Sequence, residues 1–230
     1  MNPVGWPDAL ENSRARELID EAGVLAFGPE RVERRKEAIA ALSAPGGPQD
    51  DLEARGVALA LLAESDPARL PEAEKALAAA RAAGAQTNWI SLHLVDAYYR
   101  AHDYGKAVEH AREVEPSYFT DDGLRWRSVK VTEILAASLL ARGDLDEGLD
   151  LALKVIGELA SHDDDIEDVL VPPYELAFRA LDLVDLPEPS QARDVGYAVL
   201  DALSASFELP EWFPPSFVNR IMRALTARPG

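Results

Sequence analysis

The sequence predicts an all-α fold in the form of an α-solenoid, a stack of helix-turn-helix hairpins closed by a C-terminal capping helix. The first observation is a repeat. The apolar pattern from Leu94 to Val114 recurs from Leu135 to Val155, displaced by 41 residues (135 − 94 = 41; 155 − 114 = 41). The second observation is that apolar residues within each copy follow the spacing of amphipathic helices on either side of a polar turn. Such a unit repeated at a fixed period is typical of helical solenoids.

The N-terminal region is predicted to form a tail and a degenerate first hairpin. We interpret residues 1–11 as the tail. Asn12 or Ser13 is placed to cap a first helix, and Gly28-Pro29 breaks the chain before a second helix. We assign these two helices to a hairpin over residues 12–44. The cations of its second helix are expected to form a solvated outer face: Arg31, Arg34, Arg35 and Lys36.

Four aligned hairpins are predicted between residues 49 and 207. Pro45-Gly46-Gly47-Pro48 precedes them, either as a linker or as a turn between packed hairpins. The signature that begins at Leu94 has a counterpart 37 residues earlier, at Val57 (94 − 57 = 37), and others at Leu135 and Leu176. The second helices of three of these hairpins are expected to begin at aspartate caps. These caps are Asp103, Asp144 and Asp66, the last of which is followed by Pro67.

The C-terminal segment, residues 208–230, is predicted to cap the array. Pro210, Pro214 and Pro215 interrupt its start, and an amphipathic helix follows from about Ser216. A solenoid needs such an element to cover the exposed face of its last repeat. We therefore expect a single domain over residues 12–230.

Composition indicates a soluble protein. The 230 residues are 47% apolar, enough for a core, and with no cysteine they have no disulfide framework. The N-terminus lacks the basic and apolar regions of a signal peptide, and no apolar run approaches the roughly 20 residues of a membrane span. We expect a cytoplasmic protein, and the frequent Ala, Arg and Glu suit a high-GC bacterial genome.

The net charge of −18 restricts the class of partner. Phosphate backbones are bound by clustered Lys and Arg, so this charge argues against nucleic acid and also against anionic membranes. It favours basic partners where charge contributes to binding at all. The alternative is that an acidic surface only keeps the protein soluble.

Two stretches carry a resemblance to a known family. Residues 94–107 (LVDAYYRAHDYGKA) and 135–148 (LAASLLARGDLDEG) resemble the tetratricopeptide repeat (TPR) in their small interhelix residues and in the aspartate before the second helix. The resemblance covers about two thirds of the chain and implies a right-handed solenoid of TPR-like hairpins. The chain departs from the family at Val95, where a small residue is usual, and in its 41-residue period.

The resemblance also implies where a ligand would bind. In TPR arrays the first helix of each hairpin lines a concave groove, so matching positions identify candidate ligand-binding residues. Aromatic anchors and acids among them suit a basic or amphipathic peptide, although the aromatics could equally be core between hairpins. The candidates are Arg55, Leu59, Leu92, Asp96, Tyr99, Glu133, Tyr174 and Phe178.

One ligand type is disfavoured by the same comparison. The family's clamp for a C-terminal carboxylate uses Lys and Asn on these helices. Matching positions here hold Leu92 and Asp96 in one hairpin, and Glu133 and Ala137 in another. The carboxylate clamp is therefore missing.

Two further stretches have alternative interpretations. The basic aromatic run from Arg125 to Lys130 suggests either an anion site or, as we favour, a helix face whose cations pair with nearby acids. The run from His162 to Asp168 lacks the glycine of a calcium loop and is interpreted as an acidic interhelix loop.

No catalytic motif stands out. The four histidines lack the His-Glu-x-x-His spacing, and neither a Gly-x-Ser-x-Gly elbow nor a phosphate-binding Gly-Lys-Ser/Thr loop is present. We therefore expect no enzyme activity, no metal and no cofactor. The leading hypothesis is a scaffold that binds a protein or peptide in the groove of a TPR-like array. The alternative is an acidic neutralising protein, of the immunity or inhibitor type, that occludes a basic protein target with its outer surface.

Overall fold

A computed structural model describes residues 13–26, 28–43, 51–119, 124–161, 173–187 and 190–228, with Trp212 described by its backbone alone. Within these ranges the chain forms twelve α-helices and two short 3-10 helices and contains no strand. The predicted all-α class is confirmed. None of the helices in these ranges is long and apolar enough to cross a membrane.

The chain divides into two compact units, Met1–Tyr118 and Phe119–Gly230. The first unit holds six α-helices, in which α1 packs on α2, α2 on α3, α3 on both α4 and α5, and α5 on both α4 and α6. A 3-10 helix, Pro67–Arg69, leads into α4. The helices are α1 (Arg14–Gly23), α2 (Pro29–Leu42), α3 (Leu52–Ser65), α4 (Leu70–Ala82), α5 (Asn88–Arg100) and α6 (Tyr104–Glu113).

The second unit also holds six α-helices. In it α7 packs on α8 and α9, α10 packs on α8 and α9, and α12 contacts α9, α10 and α11. The second 3-10 helix, Pro116–Phe119, lies where the two units join in the sequence. The helices are α7 (Arg125–Arg142), α8 (Leu145–Ala160), α9 (Tyr174–Val184), α10 (Gln191–Ser206), α11 (Leu209–Trp212) and α12 (Pro215–Thr226).

Two of the predicted helix caps are confirmed and two differ in detail. Ser13 accepts a hydrogen bond from Arg16 N at 3.1 Å, and Asp103 accepts one from Lys106 N at 3.1 Å. Asp66 precedes a 3-10 helix and makes no capping bond, so α4 begins only at Leu70. Asp144 occupies the N-cap position of α8, but its carboxylate lies 3.1 Å from Arg142 and does not bond to the helix.

Close helix approach within the hairpins depends on two glycines. A Cβ added to Gly148 of α8 would lie 2.8 Å from Leu140 Cδ2 on α7. A Cβ added to Gly196 of α10 would lie 2.8 Å from the Ala180 carbonyl oxygen on α9. Both distances are below ordinary contact, so the two hairpins need glycine here. Gly148 belongs to the small interhelix residues predicted within the stretch 135–148, and this part of the prediction is confirmed.

The core is built from the repeated apolar positions. Val57, Leu94 and Leu176, which open the signature in three hairpins, are buried, whereas Leu135 is half-buried. In the C-terminal helix the buried residues are Phe217 and Ile221. The expected tail, the Pro45–Pro48 turn and the acidic run from His162 to Asp168 lie outside the described residues.

Candidate functional site

The predicted ligand-binding residues of the first unit lie on α3 and α5. Arg55 is exposed, whereas Leu59 is buried. Leu92 and Asp96 are half-buried, and Tyr99 is buried with its ring 5.6 Å from that of Tyr104. These positions therefore form a partly exposed surface on two neighbouring helices.

A single stripe of α5 reaches solvent. Residues on either side of it are buried, including Trp89, Ile90 and Val95, because α5 packs on three neighbouring helices. Leu92, Asp96 and Arg100, which are four residues apart, remain half-buried or exposed. We call these three residues the α5 stripe. It offers one apolar, one acidic and one basic side chain in a row.

A buried charge cluster lies beside the α5 stripe. Arg35 of α2 is only 3% exposed, and its Nη2 lies 3.0 Å from Glu64 Oε2 on α3. The same guanidinium donates to Ser65 Oγ at 2.6 Å and to the Leu61 carbonyl oxygen. Arg35 thus joins α2 to the C-terminal turn of α3. The expectation that it belongs to a solvated face is wrong, because its side chain is buried and its Nη1 and Nη2 atoms bond to groups inside the unit.

The cluster continues onto the α5 stripe through two carboxyl groups. Asp96 accepts a hydrogen bond from Arg100 Nε at 2.9 Å, and Arg100 Nε lies 3.8 Å from Glu64 Oε1. Burial, followed by the adjacent charge of Asp96, raises the pKa of Glu64 to about 7, although Arg35 and Arg100 oppose the rise. A hydrogen bond to Asp96 contributes to the same rise. Near neutral pH the Glu64 carboxyl group is therefore only partly ionised.

Sequence reasoning identified Asp96 but missed its partners Arg35, Glu64 and Arg100. Arg35 lies in a run of charged residues that has the pattern of an exposed helix face. Its partner Glu64 is 29 residues away in the sequence, on another helix. No local spacing signals such a pair, so only the tertiary structure reveals it.

A second polar cluster links α4, α5 and α6. Tyr98 donates to Glu74 Oε1 at 2.8 Å, and His110 Nε2 lies 2.9 Å from the same oxygen. His110 Nδ1 lies 3.2 Å from Glu113 Oε2, while the rings of Tyr98 and His110 stack at 5.3 Å. Burial raises the pKa of Glu74, but the hydrogen bonds from Tyr98 and His110 outweigh it and leave this pKa lowered. Tyr98 and His110 are buried whereas the two glutamates are partly exposed, so the cluster holds the three helices together at the edge of the core.

Glu133, a predicted ligand-binding residue of the second unit, is 2% exposed. Its Oε1 accepts from the backbone N–H of Glu175 at 2.7 Å and of Leu176 at 3.4 Å, at the start of α9. Its Oε2 lies 2.8 Å from Lys130 Nζ. Burial raises the pKa of Glu133, against the opposing effect of Lys130. Glu133 thus caps α9 from the neighbouring helix α7.

The remaining two predicted residues, Tyr174 and Phe178, belong to an aromatic cluster with the C-terminal segment. The ring centroid of Tyr174 lies 5.2 Å from that of Phe213, and the centroid of Phe178 lies 4.5 Å from that of Phe217. Both pairs meet edge to face, a favourable geometry for aromatic rings. Phe178 nevertheless stays 44% exposed.

The basic run of α7 makes the local pairs that we favoured from the sequence. Arg125 lies 3.1 Å from Glu158, and the Arg127 guanidinium lies 4.4 Å from the ring centroid of Trp126. Lys130 is the partner of Glu133. The charges of Arg125 and Lys130 are therefore compensated within the second unit.

Among the described residues, no group of three or more His, Cys, Asp or Glu side chains is arranged to hold a metal ion.

Comparison with known proteins identifies no relative of this chain. No protein-family model matches the chain, and neither a curated protein nor a solved structure is significantly similar to it.

Proposed function

We propose that this protein is a non-enzymatic, TPR-like scaffold whose first unit binds a basic or amphipathic segment of a protein partner along the α5 stripe. The main support for the proposal is the accessibility of the α5 stripe. The α5 stripe is a row of accessible side chains on an otherwise buried first helix, and its carboxylate belongs to a charge cluster fixed from beneath.

The packing within each unit supports a TPR-like solenoid, which the resemblance to that family implies to be right-handed. First helices of successive hairpins pack side by side, α3 on α5 in the first unit and α7 on α9 in the second. Each hairpin also packs its own two helices together, as α5 with α6 and α9 with α10 do. We assign the capping role to α12, because it contacts both helices of the last hairpin and buries Phe217 and Ile221.

The chemistry of the α5 stripe favours a cationic side chain flanked by an apolar one. Asp96, with a side chain 19% exposed, is the accessible carboxylate, and Leu92 provides apolar surface one helical turn away. Arg100 already pairs with Asp96, so a ligand cation must compete with it or share the carboxylate. A partner in which Lys or Arg alternates with apolar residues would place a cation near Asp96 and an apolar side chain on Leu92.

The proposal is tested with a displayed library of random peptides, selected first on the whole chain. Selected peptides are then measured against Leu92→Ala and Asp96→Asn by fluorescence anisotropy. We expect enrichment of Lys, Arg and apolar residues, with roughly tenfold weaker binding to each variant. The matched control is Asp194→Asn, which removes an exposed carboxylate on α10 of the second unit and should leave affinity unchanged. Equal affinity for the wild type and both stripe variants would contradict the proposal.

The alternative, a neutralising protein that acts through its acidic outer surface, makes a different prediction. Its support is the row of exposed acids on the second helix α8: Asp146, Glu147 and Asp150. Because exposed charges are screened by salt, affinity for a basic protein such as lysozyme should collapse between low and high salt. The stripe variants would then bind as the wild type does, and Asp150→Lys would bind more weakly.

A further inference from the structure

A cavity of about 280 Å³ in the second unit opens between α9, α10 and α12. Its apolar wall is formed by Leu181, Val184, Ala224 and Ala227. The polar part of the lining consists of three arginines, one tyrosine and one aspartate. These residues are Arg193, Arg220, Arg223, Tyr197 and Asp185.

In the part of the chain that the structure describes, the arginines of this cavity have no acidic partner. The guanidinium groups of Arg220 and Arg223 make no hydrogen bond or ion pair with a described residue, and both side chains are exposed on α12. Arg193 has a 3.5 Å contact to Tyr197 Oη, and its Nε is buried with no hydrogen-bond partner in the part of the chain that is described. By contrast, Arg142 and Arg228 of the same unit lie 3.1 Å and 2.7 Å from aspartates.

This arrangement is unexpected in so acidic a chain. With 41 acidic and 23 basic residues, carboxylates are available to pair with most cations. Three guanidinium groups beside one carboxylate, Asp185, instead leave two uncompensated positive charges around one cavity. Like charges held close together repel one another, and a bound anion would remove that cost.

We propose that this cavity binds the phosphate group of a small phosphorylated molecule. The guanidinium group presents a planar fork of N–H donors that matches two phosphate oxygens at once. A phosphate monoester is a dianion near neutral pH, which balances the two uncompensated charges. The volume admits a phosphate with a small attached group, and the net charge of −18 opposes a long polyanion such as RNA.

Tyr197 gives the site a second recognition element. Its ring centroid lies 5.8 Å from the Arg193 guanidinium carbon and 4.9 Å from that of Arg228. Arg228 is itself paired with Asp201 at 2.7 Å, so it holds the ring in place without adding a free charge. The organic part of the ligand would thus meet a fixed aromatic side chain and the apolar wall.

The test is a calorimetric titration of the whole chain with inorganic phosphate at constant ionic strength, with chloride as the balancing anion. We expect saturable binding, weakened at least tenfold in the double variant Arg220→Gln with Arg223→Gln. Both side chains are exposed on α12, so the variant should fold, as circular dichroism will verify. The matched control is Lys154→Gln, which removes an exposed cation from α8, away from the cavity.

Three results would overturn the proposal. The first is the absence of saturable phosphate binding by the wild-type chain. The second is an unchanged affinity in the folded double variant, which would place the phosphate elsewhere. The third is equally tight binding of succinate at the same ionic strength, which would show a general anion site with no preference for phosphate.

Discussion

At the scale of single residues, the Glu64 carboxyl group has the most unusual environment. It lies between a buried guanidinium and a second carboxyl group, and burial is the main cause of its raised pKa of about 7. A group whose pKa is higher in the folded state than in the unfolded state binds its proton more tightly when folded. The stability of the first unit is therefore linked to pH through this residue.

We predict that the free energy of unfolding falls between about pH 4.5 and pH 7 because of Glu64. Below this window both states hold the proton, and within it only the folded state does, so raising the pH disfavours folding. The Glu64 contribution to the fall is at most about 3 kcal/mol. Glu64→Gln should remove it, as urea unfolding at pH 5, 6, 7 and 8 will show. Glu72→Gln, a change of an exposed carboxylate on α4, is the control. Identical pH slopes for the wild type and Glu64→Gln would refute the assignment.

At the scale of elements, hairpins depend on how closely their two helices approach. Gly196 lets α10 contact the backbone of α9, whereas Gly157 on α8 has open space where a Cβ would lie. The same glycine-to-alanine change therefore has opposite consequences in two helices of one unit. The difference comes from the neighbouring helix and not from helix propensity.

We predict that Gly196→Ala destabilises the protein by about 1–3 kcal/mol, because the added methyl group overlaps the Ala180 carbonyl oxygen. Gly157→Ala should instead stabilise it by about 0.5–1 kcal/mol, through the better helix propensity of alanine. Chemical denaturation of both variants measures the two effects. A stabilising Gly196→Ala would show that α9 and α10 are not packed as described.

The start of α9 depends on a side chain from another helix, since Glu133 of α7 accepts two of its first backbone N–H groups. We predict that Glu133→Ala leaves these groups without an acceptor and costs about 1–3 kcal/mol. Amide hydrogen exchange at Glu175 and Leu176 should accelerate more than at α10. Glu133→Gln, which keeps an oxygen acceptor, should restore most of the protection. Equal exchange rates in the wild type and Glu133→Ala would exclude the capping role.

At the scale of the whole molecule, the net charge of −18 opposes compaction, because folding brings like charges closer together. Salt screens this repulsion, so we predict a melting temperature that rises by several degrees between about 50 mM and 500 mM sodium chloride. The double variant Asp150→Lys with Asp194→Lys changes the net charge to −14 and should reduce the rise. A melting temperature that falls with salt would mean that surface ion pairs outweigh the repulsion.

The helices and their pairing were predictable from the sequence, whereas the charge clusters were not. Apolar spacing around Leu94 and Leu176 is a local signal, and so are caps such as Ser13 and Asp103. The burial of Arg35 depends on Glu64 and Ser65 on another helix, which no local pattern reveals. Glu133 shows the same limit of local patterns. Its position on a first helix predicts a residue of the groove, but in the structure its carboxylate caps α9.

The proton that Glu64 holds near neutral pH has a thermodynamic consequence for any ligand of the α5 stripe. A cation bound at Asp96 also favours the ionised form of the adjacent Glu64, so binding near pH 7 would release the Glu64 proton into the buffer. The measured heat would then vary linearly with the ionisation enthalpy of the buffer, and the slope would count the protons released. Calorimetry in buffers of different ionisation enthalpy, such as HEPES and Tris, would thus reveal occupation of the stripe without a structure of the complex.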